Sequence, residues 1–153
     1  MPTTKLLLWS SAERKSEADI KQIAAKVEAD FGIRLLSKDE EIANPSEAKR
    51  AIVDAVGKIR EVTRKNENLQ QYNRKYGFCR NYLGACVYAI GAIIFALVVN
   101  FILEMPYTKI LMVALVAQVL FGIINYVSYK SKAYDYARAM YNAYITGAEY
   151  ERE

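Results

Sequence analysis

Two amide side chains lie within an otherwise apolar part of the sequence. Gln118 and Asn125 are seven residues apart, which is close to two helical turns, so they project from the same face of a helix. Ala114, Gly122 (or Phe121) and Tyr129 continue this face, which we call the polar face. Polar side chains in lipid are costly and usually face water or another helix. Each amide alone fits a pore lining or a helix–helix contact equally well, and the pair on one face favours a water-facing or oligomer-axis position.

The helices that would carry these amides are encoded by two uncharged runs, residues 82–103 and 110–129. As helices they would be about 33 and 30 Å long, enough to cross the hydrocarbon core of a bilayer. A soluble protein with a buried hairpin is the alternative, but the remaining chain is too small to cover it. The predicted fold is all-α: an integral membrane two-helix hairpin with amphipathic, coiled-coil-like cytoplasmic helices before and after it.

The distribution of charge predicts the orientation. Basic residues precede the first apolar run and follow the second: Arg64, Lys65, Arg74, Lys75, Arg80, Lys130, Lys132 and Arg138. The connection between the runs carries only Lys109 and Glu104. The positive-inside rule therefore predicts a multi-pass membrane protein with both termini cytoplasmic and the connecting turn outside. The apolar run from Leu6 to Trp9 is too short for a signal peptide, so we expect the first span to direct insertion.

Composition argues against several classes of function. The net charge of +4 suits anionic lipid but is too small to indicate nucleic-acid binding by itself. Histidine is absent, and Cys79 and Cys86 do not have zinc-site spacing. No phosphate loop or nucleophile motif is present, and the carboxylates at 39–41 are interpreted as a solvated connector. We therefore expect no enzyme activity, catalytic residue, cofactor or metal.

Four segments are predicted along the chain. Residues 1–44 form an N-terminal cytoplasmic helical segment whose main helix, 11–31, ends at Gly32. Residues 45–81 form a helix that begins at Pro45 and leads into the membrane. Residues 82–129 are the hairpin, with an outer turn at 104–109. Residues 130–153 form a C-terminal helix, whose tyrosines at heptad spacing predict packing against 46–81 of the same or a neighbouring subunit.

The first span carries small residues that let helices approach closely: Ala85, Ala89, Gly91, Ala92 and Ala96. Because two helices cannot enclose a pore, we expect a homo-oligomer, a tetramer or larger, within the lipid bilayer. Gln118, Asn125, Gly122 and Ala114 would line such a pore, and Glu104 and Asn100 would surround its outer mouth.

Two stretches, "RKNENLQQYNRKYGFCRNYLGA" and "SYKSKAYDYARAMYNAY", lead into the first span and out of the second. In these stretches the chain resembles the SLATT-type two-transmembrane effectors of bacterial antiviral, CBASS-like nucleotide-signalling systems, over roughly residues 60–146. The resemblance implies a pore in the bacterial inner membrane. The pore would stay closed until a nucleotide or oligonucleotide signal, or a nucleotidyltransferase partner, triggers membrane depolarisation or growth arrest. Residues 1–59 lie outside it and would be the sensing part. The alternative is a non-conducting membrane anchor or scaffold that recruits cytoplasmic partners through its helices.

Overall fold

A computed structural model of the chain describes the backbone of residues 1–150 and the side chains of residues 1–147. This part contains six α-helices: α1 Pro2–Leu7, α2 Glu17–Phe31, α3 Lys38–Ala43, α4 Pro45–Thr63, α5 Glu67–Ile102 and α6 Thr108–Tyr150. The all-α prediction is therefore confirmed over the described residues. The chain divides into two compact units. One combines residues 1–73 with the chain from Ala133 onward, and the other spans Arg74–Lys132.

The first unit begins with helices whose ends follow local capping chemistry. The sequence predicted a helix from residue 11, but α2 begins at Glu17, because Ser16 accepts a hydrogen bond from the Asp19 N–H at 3.2 Å and caps it. The helix ends as predicted at Gly32, which has φ +66 in the left-handed region. The connector that follows contains α3, which begins with a capping box of Ser37 and Glu40.

Glu41 in α3 corrects the interpretation of residues 39–41 as a solvated connector. Its side chain is buried, and its carboxylate accepts hydrogen bonds from the backbone N–H groups of Trp9 and Ser10, both at 2.9 Å. These two amides follow the C-terminal end of α1. The carboxylate therefore connects α3 to the end of α1. No group of three or more side chains that could bind a metal ion occurs among the described residues.

Helix α4 packs against α1, α2 and α3. Its apolar face follows the prediction at Ala48, Ile52, Val56 and Ile59, but Val62 is exposed. The buried positions next to this series are Ala55 and Thr63. The error arises because position 62 lies beyond the edge of the face that begins at residue 48, whereas residue 63 lies one helical turn after Ile59.

The C-terminal part of α6 completes this core. Buried residues of α6 cluster with those of α1, α2 and α4 around Ile23, Val27, Ile59 and Tyr141. The predicted partner of this helix, residues 46–81, therefore accounts for only part of the packing. Helices α1 and α2 supply the rest, including Leu6, Leu7, Ile20, Ile23 and Val27.

Three tyrosine hydroxyls of α6 donate hydrogen bonds to N-terminal elements. Tyr134 donates to the carboxylate of Glu13, Tyr141 to the Thr3 carbonyl oxygen at 2.7 Å, and Tyr144 to Asp30 at 2.8 Å. Burial raises the pKa of Tyr141 above its usual value, so this hydroxyl keeps its proton at neutral pH. Lys26 lies 4.4 Å from the centre of the Tyr144 ring, and Phe31 stacks on the same ring at 5.9 Å.

The side-chain hydroxyl of Thr3 is buried and has no hydrogen-bond partner among the described residues. An unsatisfied buried hydroxyl costs about 1–3 kcal/mol, so Thr3→Val, which keeps the shape of the side chain, should raise the free energy of unfolding by about 1 kcal/mol. Chemical denaturation of the purified chain measures the change. Thr63→Val is the matched control: the Thr63 hydroxyl donates to the Ile59 carbonyl at 2.7 Å, so that variant should gain nothing. Equal gains in both variants would contradict the explanation.

The second unit is a hairpin of α5 and the first part of α6. These helices form a packed pair, and both are long and apolar enough to cross a membrane. The described turn between them spans 103–107. Large apolar side chains are widely exposed on both helices, including Val87, Phe95, Phe101, Ile110, Val113, Ile124 and Val127.

Candidate functional site on the hairpin

The polar face of α6 is partly covered in the structure. Gln118, Gly122, Asn125 and Tyr129 are half-buried, and Ala114 is half-buried as well. Most of the apolar residues between them are exposed, among them Val116, Val119, Leu120, Ile123, Ile124 and Val127. Tyr129 stacks on Tyr76 of α5, with ring centres 5.4 Å apart. Since α5 is the packed neighbour of α6, we infer that the predicted pore-lining face is turned toward α5 within a single chain.

The facing side of α5 is apolar along most of its length. Its less exposed residues recur at alternating intervals of three and four: Leu83, Cys86, Ile90, Ile93, Leu97 and Asn100. The predicted packing residues lie to one side of this seam. Ala85, Gly91 and Ala92 are exposed, and Ala89 and Ala96 are half-buried. A Cβ atom added at Gly91 or Gly122 would meet no atom within 4 Å, so packing inside this chain does not require glycine there.

The two amides differ in their hydrogen bonding. Asn125 donates from Nδ2 to the Phe121 carbonyl oxygen of its own helix at 2.8 Å. Within the part of the chain that the structure describes, the Gln118 amide makes no hydrogen bond. Gln118 lies about 15 Å along α6 from Thr108, which is near the middle of a span. An amide at that depth in lipid needs a polar partner or water.

The turn between α5 and α6 uses both residues that were predicted at a pore mouth. Asn100 is 4 % exposed; its Nδ2 donates to the Thr108 hydroxyl at 2.8 Å, and its Oδ1 accepts from the Tyr107 N–H at 3.2 Å. Glu104 is exposed and has φ 52, the left-handed conformation that helix C-termini usually give to glycine. The Met105 N–H then bonds to the Asn100 carbonyl at 2.9 Å. In this conformation Asn100 closes the turn and Glu104 ends α5.

At the opposite end of the hairpin, aromatic side chains hold the two helices together. The hydroxyls of Tyr76 and Tyr129 are 3.4 Å apart, in addition to the stacking of their rings. Phe78 stacks on Tyr82 with ring centres 6.1 Å apart, but both residues lie in α5, so this contact links successive turns of one helix. Cys86 is buried and Cys79 half-buried, and both are free thiols.

The first unit contains a cleft of about 320 Å³ that the sequence did not reveal. Its walls are mainly apolar and include Leu7, Trp9 and Ile52. They come from α1, α2, α3 and α4 and from the connecting residues 9 and 34–37. The basic residues at its rim already have acidic partners: Arg34 pairs with Glu40 at 2.6 Å, and Lys21 with Glu17 at 2.9 Å. The backbone N–H of Ser37 lowers the pKa of Glu40, which therefore stays ionised beside Arg34. No sequence motif marks the cleft, because its lining comes from separate helices.

Comparisons of the chain with protein-family models, with curated proteins and with solved structures found no match.

Proposed function

We propose that this chain is a two-span membrane protein whose hairpins assemble into an oligomeric pore, with both termini cytoplasmic. The observation that carries the proposal is the Gln118 amide, which has no hydrogen-bond partner among the described residues although it lies near the middle of an apolar helix. Two helices cannot surround a water-filled path, so the partner of Gln118 would be water or the same residue in other copies.

The space for neighbouring copies lies on α5. Gly91 and Ala92 are exposed, and no atom within 4 Å would meet a Cβ at Gly91. Small residues of this kind allow close helix contacts in lipid, where packing rather than hydrophobicity holds helices together. These features support assembly through α5, with α6 nearer to the oligomer axis.

Conduction would require a change from the described conformation. Gln118 and Asn125 are half-buried on the face toward α5, so the described hairpin corresponds to a closed state in this proposal. The first unit would receive the signal, because the C-terminal part of α6 belongs to its core. In this view the chain acts as a SLATT-type effector in bacterial anti-phage defence, triggered by a nucleotide signal or a nucleotidyltransferase partner, and it causes depolarisation or growth arrest.

A second candidate function is a non-conducting membrane anchor whose cytoplasmic helices recruit partners. The half-burial of the polar face against α5 favours it, since Asn125 already donates to its own helix and needs no pore water. Under this alternative, Gln118 would only join helices within or between hairpins.

Disulfide cross-linking tests the proposed assembly. In a Cys79→Ser, Cys86→Ala background, Ala114→Cys introduces a thiol on the polar face, one turn from Gln118. We expect mild oxidation of membranes to give covalent dimers from the fraction of oligomers in which this face has turned from α5 toward the axis. Adding Gln118→Leu should reduce the yield, because the amide contact between copies is lost.

Val113→Cys is the control for this experiment, since Val113 adjoins Ala114 but is 70 % exposed on the outer surface of the hairpin. It should cross-link little. If Ala114→Cys gives only monomers, or if the two positions give equal yields, the polar face does not line the axis of an oligomer.

A further inference from the structure

One end of the hairpin unit is strongly basic. Within Arg74–Lys132 the sequence has five basic residues near the Tyr76–Tyr129 pair: Arg74, Lys75, Arg80, Lys130 and Lys132. The unit's one acidic residue, Glu104, lies in the turn at the opposite end. Arg74, Arg80 and Lys130 are exposed, and none of the three forms an ion pair within the described residues. The end therefore carries a concentrated positive charge that the unit itself does not neutralise.

The position of these charges along the helices matches the headgroup layer of a bilayer. Arg80 precedes the uncharged run that begins at Tyr82 by about 3 Å of helix, and Lys130 directly follows the run that ends at Tyr129. Exposed aromatic residues occupy the same level, with Phe78 at 68 % and Tyr126 at 57 % exposure. Aromatic rings are typical of the interface between lipid and water.

We infer that this basic end, defined by Arg74, Arg80 and Lys130, binds the phosphate groups of anionic phospholipids in the cytoplasmic leaflet. The inference rests on the proposed insertion of the hairpin in a membrane. Guanidinium and ammonium groups at headgroup depth attract phosphates, and the arginines can donate two parallel hydrogen bonds to one phosphate. A lipid fits better than a protein partner, because the three residues lie within four positions of Tyr76 or Tyr129 along the helices, close to where the uncharged runs begin and end.

The test uses the full chain reconstituted in vesicles of phosphatidylcholine with phosphatidylglycerol, and spin-labelled forms of each lipid as probes. Electron paramagnetic resonance gives the fraction of each probe bound at the protein surface. We expect the wild-type chain to enrich phosphatidylglycerol over phosphatidylcholine at low salt. The triple variant Arg74→Gln, Arg80→Gln, Lys130→Gln should lose most of this preference, by up to roughly five-fold for each charge removed.

Lys109→Gln, which removes the basic residue near the opposite turn, is the matched control and should keep the preference. High salt should weaken it by screening. A wild-type chain that inserts but binds both lipids equally, or a triple variant with unchanged preference, would overturn the inference. Resistance of the chain to alkaline carbonate extraction measures insertion separately, and its complete extraction would overturn the proposed function as well.

Discussion

Cells that produce the Gln118→Leu, Asn125→Leu variant are expected to keep intact membranes under conditions in which the wild-type chain admits a small impermeant dye. Leucine has the branched shape of asparagine and a size close to that of glutamine, so the helix pair should still pack, but the polar face of α6 becomes fully apolar. A path lined by leucine at two levels would exclude water and ions. Dye uptake and growth after induction measure the effect. In cells that produce the variant, both should equal the values for cells that lack the protein.

The matched control is Val116→Leu, Ile123→Leu, two substitutions of similar size at exposed positions of the same helix. This variant should permeabilise cells like the wild-type chain, provided that the membranes contain equal amounts of each. Permeabilisation that persists in the Gln118→Leu, Asn125→Leu variant would exclude this face as the lining. No permeabilisation by the wild-type chain, with or without an activating partner, would favour the anchor.

Tyr141→Ala is expected to have the largest effect on the stability of the first unit. The Tyr141 side chain is fully buried, and its hydroxyl donates to the Thr3 carbonyl oxygen at 2.7 Å. Removing a buried aromatic ring should cost about 3–5 kcal/mol through lost burial and the cavity left behind. Because the ring lies in the core that α6 shares with α1, α2 and α4, we expect residues 1–63 to become sensitive to protease.

Tyr141→Phe separates the contribution of the hydroxyl to stability from that of the ring. It keeps the ring in the core but leaves the Thr3 carbonyl without its donor, so the loss should be only about 1 kcal/mol. Arg138→Ala, at an exposed position of the same helix, should stay within about 0.5 kcal/mol of the wild-type chain. Limited proteolysis and denaturant unfolding measure all three variants. Wild-type protease resistance in Tyr141→Ala would show that α6 does not hold the N-terminal helices.

The helices themselves could largely be predicted from the sequence. The two uncharged runs, the break at Gly32 and the start at Pro45 depend on local properties that a single segment displays. The outer turn was predicted at 104–109 and lies at 103–107. The difference arises because Asn100 bonds to Tyr107 and Thr108 and starts α6 earlier. Insertion of the hairpin in a membrane and the roles of the predicted site residues stay predictions.

The contacts between distant segments could not be predicted. The Glu41 carboxylate meets the amides of Trp9 and Ser10 across more than 30 residues, and the tyrosine hydroxyls of α6 reach residues near the N-terminus. Heptad spacing indicates that a helix face packs against another helix but does not identify that helix. The direction in which the polar face points could not be predicted either. A stripe of amides is compatible both with an oligomer axis and with the contact between the two helices of a hairpin.

Ion flux through vesicles that contain only the purified full-length chain tests the central claim most directly. Vesicles loaded with potassium and reconstituted at equal protein density would be compared for the wild-type chain and the Gln118→Leu, Asn125→Leu variant. We predict potassium release with the wild-type chain that exceeds the release with the variant, because a fraction of the assembled oligomers opens even without the signal. Equal release in the two preparations, with both chains inserted and assembled, would contradict a pore lined by this face.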